Sequence, residues 1–146
     1  MPIHREKRAL PFTPEQMFDL VLDVAKYPEF LPWCVATRVK AKDEGEAGMM
    51  TADMAVGFKM VKERYTSRIT FERPEHIHVT DIGGPFRHLE TDWRFYPDGD
   101  GCVVDFHIDF AFSSRLLEKV MGAVFAEAAE RMMQAFVSRA ETVYAG

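Results

Sequence analysis

From Cys34 to Phe112 the hydrophobic pattern has a period of two, and this stretch limits the possible folds more than any other. Turn signals interrupt it at Asp43–Gly48, Gly57, Arg73-Pro74-Glu75, Gly83-Gly84-Pro85 and Pro97-Asp98-Gly99-Asp100-Gly101. The intervals are too short for crossover helices, so successive strands must run antiparallel as a meander. Six strands are predicted, over about 34–43, 48–56, 59–72, 75–82, 86–96 and 102–112. In the last, Cys102, Val104, Phe106, Ile108, Phe110 and Phe112 alternate with Val103, Asp105, His107, Asp109 and Ala111. One face of that strand is a continuous apolar row and the other is mostly acidic. The same parity turns Ala52, Met54 and Val56 inward, then Val61, Tyr65, Ile69 and Phe71, then Ile77 and Val79, and finally Leu89, Thr91, Trp93 and Phe95.

The flanks supply the other layer. His4–Leu10 reads as a short charged strand, the seventh. Thr13, Pro14 and Gln16 have the spacing of a capping box with proline at the first helical position. The helix is expected over Pro14–Ala25, with Met17, Leu20, Val21 and Val24 on one face and Pro28 ending it. A second short turn or helix is expected over Glu29–Leu31. After the meander, Ser113 or Ser114 caps a long helix over Arg115–Tyr144. Its stripe is Leu117, Met121, Val124, Ala128, Met132, Phe136, Ala140 and Val143, flanked by Val120, Phe125 and Met133. At about 1.5 Å per residue such a helix is roughly 45 Å long, enough to cross a sheet but only about 10 Å wide. It cannot cover a broad sheet alone. The two short helices close part of the gap, and the remainder is a candidate pocket. Beside it lies Tyr27-Pro28-Glu29-Phe30-Leu31-Pro32-Trp33-Cys34, a connection stiffened by two prolines and unusually apolar.

Composition narrows the function. A chain of 146 residues suits one domain, 1–146. A net charge of −5 argues against a broad phosphate-binding surface and against DNA. No run approaches the roughly 20 apolar residues of a spanning helix, and the N-terminal residues lack the pattern of a signal peptide. Cys34 and Cys102 fit no metal or redox spacing and read as reduced thiols of a cytoplasmic protein. Twelve Phe and nine Met fit an adaptable apolar interior.

The order β-α-α-β6-α resembles the helix-grip fold of lipid-transfer START domains and polyketide cyclase/dehydrase-like proteins. Within it, YPEFLPWC at 27–34, GPFRHLETDWRF at 84–95, CVVDFHIDFAF at 102–112 and the terminal FAEAAERMMQAFVSRA are similar to the coenzyme Q-binding START-like family. Bacterial relatives include ribosome-association toxins. The resemblance covers the whole chain and implies an α+β fold: a curved seven-stranded antiparallel sheet wrapped on a long C-terminal helix, with two short helices after the first strand. It further implies a single START-like lipid-binding domain that holds an isoprenoid quinone and chaperones or delivers it for respiration without turning it over. No cofactor is implied; the ubiquinone-like lipid is the bound ligand.

The residues are adequate for that role. Candidate cavity positions are Tyr27, Phe30, Leu31 and Trp33 from the connection, and Met54, Val61, Tyr65, Ile69, Leu89 and Thr91 from the strands. Trp93, Phe106, Ile108 and Phe110 complete the sheet's share, and the helix adds Met121, Val124, Phe125, Ala128 and Met132. Tyr27 and Phe30 are expected over the cavity, Leu31 and Trp33 at its mouth. Burying ten tail carbons would contribute about 8 kcal/mol gross, although the same residues would also make an ordinary core. Glu63, Ser67, Thr91 and the Tyr65 hydroxyl are the inward polar exceptions. They form no nucleophile–base pair and no facing carboxylates, so a cyclase or dehydrase activity is disfavoured and no catalytic residue is assigned.

The string Asp98–Gly101 reads as a hairpin turn, since it lacks the further ligands of a calcium loop. His76, His78, Glu90, Asp92, Asp105, His107 and Asp109 project outward and read as a solvated face with no metal. Expected partners are the quinone, respiratory complexes as acceptors, and a bilayer touched transiently at Phe30, Leu31 and Trp33, with the protein peripheral on the inner face of the cell membrane. The ribosome is the rival partner. For it, Lys59, Lys62, Arg64 and Arg68 on the third predicted strand, with Arg5, Lys7 and Arg8, offer modest basic support.

Overall fold

Each period-two segment is a strand in the computed structural model, which describes residues 3–31, 34–42, 47–58, 61–83, 86–112, 114–122 and 125–144. The side chains of 41–42, 58, 61, 83, 86–87, 112, 117, 120–122 and 125–128 lie outside that description. The strands are β1 (Ile3–Leu10), β2 (Cys34–Lys42), β3 (Ala47–Phe58), β4 (Val61–Glu72), β5 (His76–Gly83), β6 (Phe86–Asp98) and β7 (Gly101–Phe112). Their ends differ from the expected ones by a residue or two, as fraying ends do. They form one antiparallel sheet in the order β1-β7-β6-β5-β4-β3-β2.

The meander is read directly from the turns, whereas the docking of β1 on β7 is not. Ile3 pairs with Asp109 and Leu10 with Cys102. At the end of that ladder a side chain at Gly101 would collide with the Leu10 carbonyl oxygen, so only glycine lets β1 close on the sheet. The β6–β7 hairpin turns through Gly99 at φ +60°, so the Asp98–Gly101 string acts as a turn. In β2 the register shifts between Cys34 and Ala36 and again between Val39 and Ala41. Such bulges bend a strand and help curl the sheet around its apolar face.

Helix α1 (Pro14–Leu22) begins as the sequence predicts. The Thr13 hydroxyl accepts from the Gln16 N–H at 3.1 Å, and the Gln16 side-chain oxygen accepts from the Thr13 N–H at 2.9 Å. It ends earlier than expected, at Leu22 rather than Ala25. A 3₁₀-helix follows over Val24–Glu29 and contains Pro28, in place of the turn expected over Glu29–Leu31. The cause is local: the Tyr27 hydroxyl donates to the Val21 carbonyl and draws the chain into a tighter coil. Pro28 fits that coil because only its N–H is lost.

The C-terminal helix is described as α2 (Arg115–Gly122) and α3 (Phe125–Tyr144). Residues 123 and 124 lie outside the description. On α3 the buried line is Ala129, Met133, Phe136 and Ala140. Val143, expected on the stripe, is 49% exposed. The helix turns Tyr144 inward instead, where its hydroxyl donates to the Gln16 carbonyl at 2.8 Å and its ring lies 6.0 Å from Phe12. Ala111, expected on the outer face, is buried as well. Also unforeseen in the core is Phe18, fully buried on α1, with edge contacts to Phe95 at 5.9 Å and Phe71 at 6.2 Å. The short helix therefore buries more than one stripe and plugs one end of the sheet–helix gap.

Candidate functional site

Between the sheet's concave face and α3 the chain leaves a cavity of about 120 Å³. The 3₁₀-helix and its exit contribute Val24, Tyr27 and Leu31, and Cys34 begins β2 at the wall. The strands contribute Met54, Val56, Tyr65, Ser67, Ile69, Val79, Leu89, Thr91, Trp93 and Ile108, and α3 closes it with Met132 and Phe136. Period two on each strand places these side chains on one face, and the helical period brings Met132 and Phe136 to the same side of α3. Among the described residues, no carboxylate, imidazole or amine lines the cavity. The polar groups of its described lining residues are hydroxyls, one thiol and the Trp93 indole N–H. Burial pushes the Cys34 thiol up to about 11 and raises the Tyr27 and Tyr65 phenols well above their usual range. All three stay protonated at neutral pH.

Of the positions expected in the cavity, the structure gathers Tyr27, Leu31, Met54, Tyr65, Ile69, Leu89, Thr91, Trp93, Ile108 and Met132 at its wall. Phe30, Phe106 and Phe110 lie off that wall. Phe30 backs onto Tyr27 at 6.0 Å and Phe136 at 5.3 Å, with the Arg139 guanidinium 5.2 Å from its ring centre. Phe106 faces inward as its parity requires, but it packs against Trp93 at 4.4 Å and His4 at 6.2 Å, near the β1 edge. Phe110 is buried away from the cavity lining. Trp33 and the side chains of Val61, Met121, Val124, Phe125 and Ala128 lie outside the described residues.

Leu31, expected at the mouth, is 6% exposed and lines the interior. Its N–H donates to the Tyr27 carbonyl at 2.9 Å, a tight turn that folds the side chain inward. Sequence reasoning did not place Val24, Cys34 or Phe136 at the site. Phe136 is the centre of the wall, with edge contacts to Tyr27 at 5.4 Å and Trp93 at 5.1 Å. Its place in the helical stripe was legible, but its reach to two other elements was not. Glu63, read as inward, pairs with Val56 near the start of β4 and is not part of the cavity wall.

On the outer face Asp92, Asp105 and Asp109 are paired rather than solvated singly. Asp105 is buried beneath the Arg5 guanidinium, which donates to it at 3.1 and 3.4 Å. Asp109 meets His88 at 3.0 Å. One oxygen of Asp92 meets His76 at 2.5 Å and His78 at 2.9 Å. Burial alone would raise the Asp92 carboxyl, but the hydrogen bonds and electrostatic attraction of His76 and His78 together outweigh it and hold it below its usual range. His76, His78 and Asp92 offer ligand atoms within 4.8 Å of one another, yet they already satisfy each other. Further along the same face, exposed Lys62, Arg64 and Arg68 of β4 are joined by exposed Arg38 and Lys40 of β2. The register Arg38–Asp53–Thr66 brings the two strands' cations together across β3. Among the described residues, no helix is long and apolar enough to cross a membrane.

The sequence matches the polyketide cyclase / dehydrase and lipid transport family over residues 10–137. The chain belongs to that family. Among its relatives, the "Ribosome association toxin RatA" of Escherichia coli K12 is 37% identical over 145 residues, which are 99% of this chain and 90% of that protein. The "Coenzyme Q-binding protein COQ10 homolog B, mitochondrial" of Xenopus laevis is 36% identical over 146 residues, covering 97% of this chain and 59% of that protein. The structure of a START superfamily protein from Mycobacterium smegmatis superposes with a TM-score of 0.81 at 14% identity, covering 97% of this chain and 98% of that one, a likeness of fold alone. The helix-grip architecture of this family member is thus the START-like one: seven antiparallel strands around a C-terminal helix.

Proposed function

We propose that this protein binds a hydrophobic isoprenoid quinone of the ubiquinone type between its sheet and C-terminal helix and serves respiratory electron transport as a chaperone or carrier. The observation that carries this reading is the cavity itself, walled by apolar side chains with a few hydroxyls and no charged group among the described residues. A site of that kind suits a neutral ring with oxygen acceptors and a hydrocarbon tail. The similarity to a coenzyme Q-binding protein supports the choice of quinone. Among the described residues the wall holds no acid–base pair, so the reading assigns binding without turnover and needs no metal or prosthetic group. Loading and delivery would occur by transient contact with a bilayer, from the cytoplasmic side. Val35, near the start of β2, is an exposed apolar side chain available for such contact. Mass spectrometry of lipids extracted from the protein purified from a quinone-producing host tests the reading. Stoichiometric ubiquinone is expected. Its absence, together with failure to bind added quinone, would overturn it.

A second reading rests on a separate observation. Arg38, Lys40, Lys62, Arg64 and Arg68 make a basic surface on the face opposite the cavity, more than β4 alone provides. With the similarity to ribosome association toxins, that surface supports docking on ribosomal RNA. Cosedimentation with ribosomal subunits should then fall steeply between about 50 and 200 mM salt. Salt-independent cosedimentation, or none, would remove this reading. The two roles use opposite faces and do not exclude each other.

A further inference from the structure

One polar atom of the cavity wall is unaccounted for. Ser67 is 0% exposed, and its hydroxyl has no hydrogen-bond partner among the described residues. The hydroxyl is not there for shape. Ser67 pairs with Ala52 on β3, which is equally buried and carries only a methyl group. Alanine would fill the Ser67 position with the same backbone and nearly the same volume. A buried hydroxyl without a partner destabilises a fold, so an apolar residue would serve packing better. The Tyr27 hydroxyl differs, since it is held by the Val21 carbonyl.

The cavity's size bears on what meets that hydroxyl. At about 120 Å³ it falls well below the roughly 300–1,000 Å³ typical of sites that enclose a whole drug-sized ligand. It has room for a ring, not for a ring with a long prenyl chain. If the chain entered first, hydrocarbon would lie against the Ser67 hydroxyl and leave it unpaired. If the ring entered first and the wall yielded enough to uncover the Ser67 hydroxyl, a carbonyl oxygen would reach it.

We propose that the Ser67 hydroxyl is the polar anchor of the cavity, donating a hydrogen bond to a carbonyl oxygen on the ring of a lipid that enters ring-first with its chain trailing out. This deepens the quinone-binding reading above and rests on it. The ligand class is a lipid with a compact carbonyl-bearing ring at one end.

The test compares wild type and Ser67→Ala for binding of decylubiquinone and of decylbenzene, which has the chain and a ring but no oxygen. Thermal unfolding of both ligand-free proteins accompanies it. Ser67→Ala should weaken decylubiquinone binding about fivefold to tenfold, the effect of one lost neutral hydrogen bond. It should leave decylbenzene binding unchanged, and its ligand-free melting temperature should equal or exceed that of wild type. Unchanged decylubiquinone affinity overturns the anchor and leaves the quinone reading intact. Equal loss for both ligands, or a lowered melting temperature, assigns Ser67 to packing and also overturns it. A wild-type protein that binds no decylubiquinone overturns the quinone reading, and the anchor with it.

Discussion

At the scale of single residues, Cys34 stands where a bound quinone could meet a nucleophile. Quinones add thiolates, not thiols. With its pKa pushed up to about 11 by burial, the Cys34 side chain is roughly one part in ten thousand thiolate at neutral pH. Alkylation of Cys34 by N-ethylmaleimide, followed by peptide mass spectrometry to separate it from Cys102, should be very slow at pH 7. It should rise about tenfold per pH unit in the alkaline range, and ligand in the cavity should slow it further. Alkylation at the rate of a free peptide thiol would contradict this placement. Asp92 gives the opposite sign. Its folded-state pKa lies below the ordinary value near 3.9. The stability it contributes is therefore complete above that value and is lost as pH falls through the folded-state pKa. Asp92→Asn should lower stability at neutral pH and change it little at the acid end, so the acid limb of a urea-unfolding series flattens. The parity of β4 and β6 already marks Ser67 and Thr91 as inward polar residues. That Ser67 lacks a partner is not legible from the sequence, because it depends on what Ala52 and the other strand neighbours fail to offer.

At the scale of elements, signals spanning a few residues are readable and signals spanning the chain are not. The capping box at Thr13 and Gln16 is set within four consecutive residues, and it forms as the sequence predicts. Thr13→Ala should destabilise the protein by about 1 kcal/mol in equilibrium urea unfolding, with little change in denaturant slope. The end of α1 is different. Apolar spacing alone carries the helix on to Ala25, but the Tyr27 hydroxyl reaches back to Val21 and the chain becomes a 3₁₀-helix. The junction of β1 with β7 is also invisible in sequence, because periodicity gives a strand its face but not its neighbour. Gly101 is where that junction can be tested. Gly101→Ala should destabilise by about 1–3 kcal/mol, since β1 must move off the end of β7 to make room. Urea unfolding with no loss of stability would show that the β1 end tolerates a side chain there.

At the scale of the whole molecule, the sheet–helix architecture is legible because an antiparallel meander with one apolar face and one long amphipathic helix has few ways to bury both. The cavity's outline is legible from the same parity, but its volume is not. Volume depends on how far α3 stands from the sheet, and that distance is set by Phe136 wedged between Tyr27 and Trp93. If the wall admits a quinone, decylubiquinone at about 100 times its dissociation constant should add roughly 2.7 kcal/mol to unfolding free energy. Phe136→Ala should reduce that gain by loosening the wall. Strand β4 belongs to both surfaces of the molecule. Ser67 and Tyr65 face the cavity, while their neighbours Arg64 and Arg68 face outward with the other cations. A movement of β4 that admits a ligand on one side is therefore also a movement of the cationic lattice on the other. Thermodynamic reciprocity then makes any such effect symmetric: whatever factor a lipid imposes on polyanion affinity, the polyanion must impose on lipid affinity.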